Sequence, residues 1–264
     1  MTHIAVLGGG VMGEALIAGL LQLDPKPSIV VVEKREDRAQ ELVERHHIAS
    51  ADAQAAVLDA AVVIAVVKPQ DMRAVLIEIA DAVPVGALII SIAAGVPTTT
   101  IEALVPQAAV VRAMPNTPAK IQQGVIGMSA GISCGPEQFA QAVELLRAVG
   151  TVLEIPESQQ DAITATSGSG PAYVFYLAEA MMLGAQQSGL SPADARTAVV
   201  QTILGSAELL AASAQSPVEL RTNVTSPNGT TAAAIETFDE LGVREAIVAG
   251  MISARDRSAQ LSAS

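Results

Sequence analysis

The chain has 264 residues, half of them hydrophobic, yet only 2% are aromatic and none is tryptophan; its formal charge is −12. That length allows one large domain or two ordinary ones with a core of Ala, Val, Leu and Ile. The acidic balance argues against nucleic acid or an anionic membrane as a partner, because phosphate would be repelled. Cys134 is the only cysteine, so no internal disulfide is expected. The start has no basic segment typical of a signal peptide, and no apolar run reaches the roughly 18 residues that a membrane span needs. A cytoplasmic protein is expected.

From the amino end, "HIAVLGGGVMGEALIAGLL" predicts a buried strand, a glycine turn and a helix. Gly8, Gly10 and Gly13 give the G-x-G-x-x-G spacing directly after that strand. The first glycine permits a tight turn, the second lets a pyrophosphate approach the backbone, and the third lets helix and strand pack closely. Leu7, Gly8, Gly9, Gly10, Val11, Met12 and Gly13 are therefore candidate cofactor-binding residues. "SIVVVEK" predicts a second strand ending in Glu33, followed by the charged helix "REDRAQELVERH". Glu33 suits a ribose 2′-hydroxyl and would repel a 2′-phosphate, whereas Lys34 and Arg35 suit that phosphate. These residues leave the choice open; NADPH is the expected cofactor, with NADH as the alternative.

"AAVVIAVV", "ALIISIAAG" and "AAVVRAMPNTP" repeat the strand pattern, with helices such as "DMRAVLIEIADAV" between them. Continuous β-branched runs alternating with helices predict parallel strands covered on both faces. The expected architecture of residues 1–156 is thus a doubly wound α/β Rossmann domain. Ligands of such sheets lie beyond the carboxyl ends of the strands. That adds Val66, Val67, Lys68, Pro69, Ala93, Ala94 and Asn116 to the cofactor candidates. Lys68 also reads as a surface charge flanking a helix, and Asn116 as a turn former.

After "GTVLEIPES" the strand pattern stops. Residues 157–264 predict an all-α domain, with helices over 158–187, 191–213, 216–222, 230–240 and 243–261. "AVVQTILGSAELLAASA" is apolar on more than one face, which predicts packing against a second copy as a homodimer. "SGSGPAYVFY" places two glycines and a proline inside a helical pattern, at about 1 kcal/mol for each glycine and about 3 for the proline. Such a cost implies close approach of backbone to a ligand or another helix. Neither His nor Lys occurs after Lys120, and the histidines are His3, His46 and His47. The helical half therefore lacks the usual acid–base groups for alcohol–ketone hydride transfer. Metal-ligand spacing is absent as well, so no metal is expected.

"GGGVMG", "VKPQD", "SIAAG", "RAMPNTPA", "SGSGPAYVF" and "NVTSPNGTTAAAIE" together resemble the pyrroline-5-carboxylate reductases, through nearly the whole chain. The last two segments carry the specificity, since the glycine motif is shared with many dehydrogenases. The resemblance implies a Rossmann domain followed by a helical dimerisation domain, with dimers often assembled into rings. It also implies reduction of 1-pyrroline-5-carboxylate to L-proline by NAD(P)H, the last step of proline synthesis. A pyrroline C=N is basic enough to be protonated near neutral pH, so such an enzyme needs position, a carboxylate anchor and one hydroxyl.

The turn "NVTSPNGTT", residues 223–231, leads into a helix and offers backbone N–H groups and hydroxyls to a carboxylate. By the resemblance, Ser226, Gly229 and Thr230 cradle that carboxylate. Thr231 hydrogen-bonds the ring nitrogen and relays a proton, in a site formed with the other subunit's nucleotide domain. Glu157 is expected either to face the substrate amine or to serve as a helix-start carboxylate. Asn228 stands where the family usually has glycine, and asparagine tolerates the positive φ that such a turn needs. Two rival readings are weaker. A β-hydroxyacid dehydrogenase would carry a lysine in its interdomain helix, and a non-catalytic NAD(P) sensor would gain nothing from a carboxylate-binding turn.

Overall fold

The computed structural model describes residues 2–262. Its strands are β1 (His3–Leu7), β2 (Ser28–Val32), β3 (Ala49–Ser50), β4 (Val62–Ala65), β5 (Leu88–Ser91), β6 (Ala109–Met114), β7 (Gly124–Ala130) and β8 (Gly150–Glu154). They form one sheet in the order 3-2-1-4-5-6-7-8. The strands from β3 through β6 are all parallel, and the chain reverses its direction of winding between β1 and β4. That is the doubly wound order with its ligand crevice at the reversal point.

Every position of β4 and β5 is buried, which explains why their sequences are continuous apolar runs rather than alternating ones. One face of the sheet is covered by α1 (Val11–Leu20), α2 (Glu36–His46) and α6 (Pro136–Arg147), through Leu16, Ile17, Leu42 and Leu146. The other is covered by α3 (Ala53–Val57), α4 (Pro69–Ile79) and α5 (Thr98–Leu104), through Val57, Leu76, Ile79 and Ile101.

β7 has no counterpart among the strands read from the sequence. "GVIGMSA" is poor in β-branched residues, and its glycines are there for space. A Cβ on Gly127 would come within 2.6 Å of Ile163, and one on Gly124 within 2.8 Å of the Val149 carbonyl. β7 runs antiparallel to β6, and β8 runs parallel to β7. Between β6 and β7 lies only a short 3₁₀ segment, Thr117–Ile121, too little chain for a parallel crossover.

The chain divides into two compact units, Gly170–Ser253 and the remainder, which includes residues from Ala254 onward. The long helix expected over 158–187 is broken into a 3₁₀ turn at Glu157–Gln159, α7 (Gln160–Ile163), a π-helical turn at Thr164–Gly168, and α8 (Gly170–Gln187). The Ser169 N–H donates to the Thr164 carbonyl at 2.8 Å and closes that wide turn. The glycine–proline cluster thus marks a π turn, a feature found often at functional sites.

The helical unit contains α8, α9 (Pro192–Ala212), α10 (Pro217–Asn223), α11 (Thr230–Glu240) and the first part of α12 (Val243–Ser262). Ser191 caps α9, accepting from the Asp194 N–H at 3.1 Å, with Pro192 at the first helical position. Ser216 and Glu219 form a reciprocal capping box at α10. Among the described residues of this unit, the buried apolar side chains are Ala195 and Val199, both on α9. Phe175, Tyr176, Leu183, Leu204, Leu209 and Phe238 are all exposed. A helical unit of this size cannot be stable with so small a core of its own.

Candidate active site

β1 ends at Leu7 and the chain turns through Gly8, whose φ of 114° is closed to other residues. The Gly8 N–H donates to Val32 O and the Val66 N–H to Leu7 O, each at 2.8 Å, so three strand ends are tied together here. A Cβ on Gly8 would meet the Val66 carbonyl at 2.7 Å, and one on Gly13 would overlap the Gly8 carbonyl. These two glycines are therefore required by the fold. Gly10 is different. It is the N-cap of α1 at φ −66°, exposed, and a Cβ added there would find nothing within 4 Å. Val11 beside it is 58% exposed. Beyond this open surface the first-turn N–H groups of α1 lack intrahelical acceptors and present the positive end of the helix dipole. The cradle fits a pyrophosphate.

Gly9 is held from behind. Its N–H donates to Glu33 Oε2 at 3.0 Å, and its carbonyl accepts from Arg38 Nε at 2.9 Å. Glu33 also accepts from the Arg35 N–H at 3.1 Å. Lys34 and Arg35 are exposed, and Arg35 has only a 4.0 Å approach to Asp37. At the β2 end, then, the carboxylate is anchored to the loop while the two cations extend into solvent.

Arg38 belongs to an ion network that was not legible in the charged run of α2. It donates to Glu14 and to Glu41 at 2.6 Å each, and Arg45 donates to the other oxygens of the same two carboxylates at 2.6 Å. His46 lies 3.2 Å from Glu14. Burial raises the pKa of the Glu14 carboxyl, but the hydrogen bonds from Arg38, Arg45 and His46 outweigh it and hold the group at about 2. The sign is that of a depressed carboxylate. Glu14 contributes its stability fully above its ordinary value of 4.5 and loses it as pH falls toward 2, so the network is intact at neutral pH.

The other strand ends supply the rest of the crevice. Val66 and Val67 are half-buried after β4, and Lys68 is the exposed N-cap of α4, with Pro69 at its first position. Ala93 is buried and Ala94 half-buried beyond β5. Asn116 is engaged within the fold. It is 8% exposed, its Nδ2 donates to Ser167 O at 3.0 Å, and its Oδ1 accepts from the Val125 N–H at 2.9 Å. The side chain ties the end of β6 to the π turn and to β7.

Glu157 is engaged within the fold as well. Its Oε1 accepts from the Thr98 N–H at 2.9 Å and from Arg112 at 3.3 Å, and its Oε2 accepts from the Thr98 hydroxyl at 2.7 Å. Arg112 is only 6% exposed. Glu157 thus caps the start of α5 and neutralises a buried cation.

In the helical unit, the Gly229 N–H donates to Ser226 O at 3.0 Å, closing a turn with Pro227 second and Asn228 third. Asn228 has φ 60°, the left-handed conformation that the third position of a type II turn requires. Gly229 then serves as the N-cap of α11 without any side-chain cap, so Thr230 and Thr231 open the helix with free N–H groups. Thr231 is half-buried, while Ser226 and Thr230 are exposed. Among the described residues their three hydroxyls make no hydrogen bond to protein. A helix N-terminus lined with uncommitted hydroxyls and no fixed cation is suited to a small carboxylate.

Among the described residues no cluster of His, Cys, Asp and Glu is placed to hold a metal ion. No helix among them is long and apolar enough to cross a membrane.

Comparison with known proteins agrees with both halves. A family model described as pyrroline-5-carboxylate reductase dimerisation matches residues 157–261. One described as NADP oxidoreductase, coenzyme F420-dependent, matches residues 3–95. The pyrroline-5-carboxylate reductase of Pseudomonas aeruginosa is 42% identical, over 98% of this chain and 96% of that protein. The Synechocystis enzyme of the same name is 38% identical, over 98% of each. The solved structure of a pyrroline-5-carboxylate reductase from Coxiella burnetii superposes with a TM-score of 0.91 at 35% identity, covering 99% of this chain and 98% of that one. With identities of 38–42% over nearly the whole length and a doubly wound fold followed by a helical unit, the chain belongs to the pyrroline-5-carboxylate reductase family.

Proposed function

We propose that the protein reduces 1-pyrroline-5-carboxylate to L-proline with a nicotinamide cofactor, as the last step of proline biosynthesis in the cytoplasm. The observation that carries this reading is the Ser226–Thr231 turn, with its uncommitted hydroxyls at a helix start and no cation. Ser226, Gly229 and Thr230 hold the substrate carboxylate, and the Thr231 hydroxyl meets the ring nitrogen. A bound nicotinamide would supply a hydride to the C=N carbon, and the one proton that balances the addition is the one on the iminium nitrogen, which the Thr231 hydroxyl holds or relays. Because the substrate arrives as an iminium, the protein needs no histidine or lysine at this point. Steady-state oxidation of NADPH, and separately of NADH, with racemic pyrroline-5-carboxylate tests the reading; cofactor binding without turnover would overturn it.

NADPH is the cofactor this reading prefers. Glu33 is anchored to Gly9 and to the Arg35 backbone, and Lys34 and Arg35 are exposed and available to a 2′-phosphate. Replacing both cations by alanine is expected to raise KM for NADPH about tenfold or more, the scale of one or two charge-assisted hydrogen bonds. KM for NADH should stay within about twofold of its original value. An equal change for both cofactors would show that the two side chains do not face the 2′-phosphate.

The working unit is a homodimer, in which the carboxylate turn of one subunit serves the nucleotide domain of the other. The exposed apolar side chains of α8, α9 and α11 support the pairing; sedimentation measures it, and a stable monomer would refute it. Glu157 is assigned to the brace it makes with Thr98 and Arg112. Glu157→Gln is expected to lower stability by about 1–3 kcal/mol, since it weakens the pairing of a buried charge. Denaturation and kinetics together check this. A large rise in substrate KM with unchanged stability would restore Glu157 as a substrate ligand.

A further inference from the structure

We propose that Arg38 is a positioning residue for the cofactor, acting through the peptide of Gly9; this rests on the nicotinamide reading of the glycine loop. Gly9 is gripped at both of its polar groups, by Glu33 at the N–H and by Arg38 at the carbonyl. It also lies flat against α2, where a Cβ would meet Leu42 Cδ1 at 2.5 Å. Neither polar group of Gly9 is therefore turned toward a ligand. Phosphate contacts fall to the N–H groups that follow, and the position of those groups depends on where Gly9 is held.

The guanidinium that holds the carbonyl is itself fixed. Its side chain is 12% exposed, and its terminal nitrogens are engaged by Glu14 on α1 and Glu41 on α2. One cation thus links the glycine loop, the helix whose N-terminus faces the phosphates, and the helix beneath both. Held this way, Arg38 does not reach for a 2′-phosphate as Lys34 and Arg35 do. Its effect acts on the part of the cofactor that NADPH and NADH share.

The test is direct binding of each cofactor, followed by its own fluorescence, with thermal midpoints measured alongside. Wild-type protein that binds neither cofactor overturns the nicotinamide reading itself. Given wild-type binding, Arg38→Met is expected to weaken NADPH and NADH equally, by about tenfold, the scale of a lost charge-assisted hydrogen bond. The control Glu41→Gln disturbs the same ion network without touching Gly9, and should leave both dissociation constants within about twofold. If Arg38→Met does not fold, Arg38→Lys keeps a charge between the carboxylates but gives up the fork that reaches Gly9. It should still weaken both cofactors several-fold at an unchanged midpoint. Weakening of NADPH alone, no weakening in either Arg38 variant, or equal weakening in Glu41→Gln would overturn the proposal.

Discussion

Thr231→Val is expected to lower kcat about 10- to 100-fold while leaving cofactor affinity unchanged. Valine keeps the branched shape and removes only the hydroxyl, which makes no hydrogen bond to protein among the described residues. The fold therefore gives up no internal bond, and the loss falls on the reaction. The magnitude is that of one hydrogen bond made in the transition state. Thr231→Ser, which retains the donor, should recover most of the rate. Stopped-flow reduction with saturating cofactor measures the step. If valine leaves kcat as it was, the proton reaches the ring nitrogen from water or from the substrate, and Thr231 belongs to the helix start alone.

Gly10→Ala is expected to weaken cofactor binding about 10- to 100-fold with little change in the fold. The empty space around Gly10 and its ordinary φ mean that the protein tolerates a methyl there; a poorer N-cap costs at most about 1 kcal/mol. A methyl would stand where a pyrophosphate must approach the backbone and would displace one or two charge-assisted hydrogen bonds. Gly13→Ala is the contrasting case. Its Cβ would overlap the Gly8 carbonyl, so it should lose about 1–3 kcal/mol of stability by overpacking before any ligand is added. Thermal denaturation with and without NADPH separates the two. If Gly10→Ala binds the cofactor normally, the pyrophosphate lies elsewhere on the loop.

Much of this architecture is local in sequence. The strand–glycine–helix start, the Ser191-Pro192 cap and the break at "SGSGP" each rest on a few adjacent residues, and each appears where the pattern puts it. β7 escaped because its glycines answer to Ile163 and to the Val149 carbonyl, not to strand propensity. The internal partners of Asn116 and Glu157 were hidden for the same reason. The chemistry of an amide or a carboxylate can be read from the sequence, but not whether a backbone N–H or a buried arginine has already claimed it.

Periodicity and turn chemistry, which act over a few residues, suffice for most of the elements and for marking the glycine loop and the Ser226–Thr231 turn as candidate sites. Partnerships across the fold come only with tertiary structure. Gly9 and Arg38 are 29 residues apart, Thr98 and Glu157 are 59 apart, and Ser258 and Asp161 are 97 apart. Only the tertiary fold brings such groups within hydrogen-bonding distance, and a buried polar group is satisfied by whatever the packing places beside it.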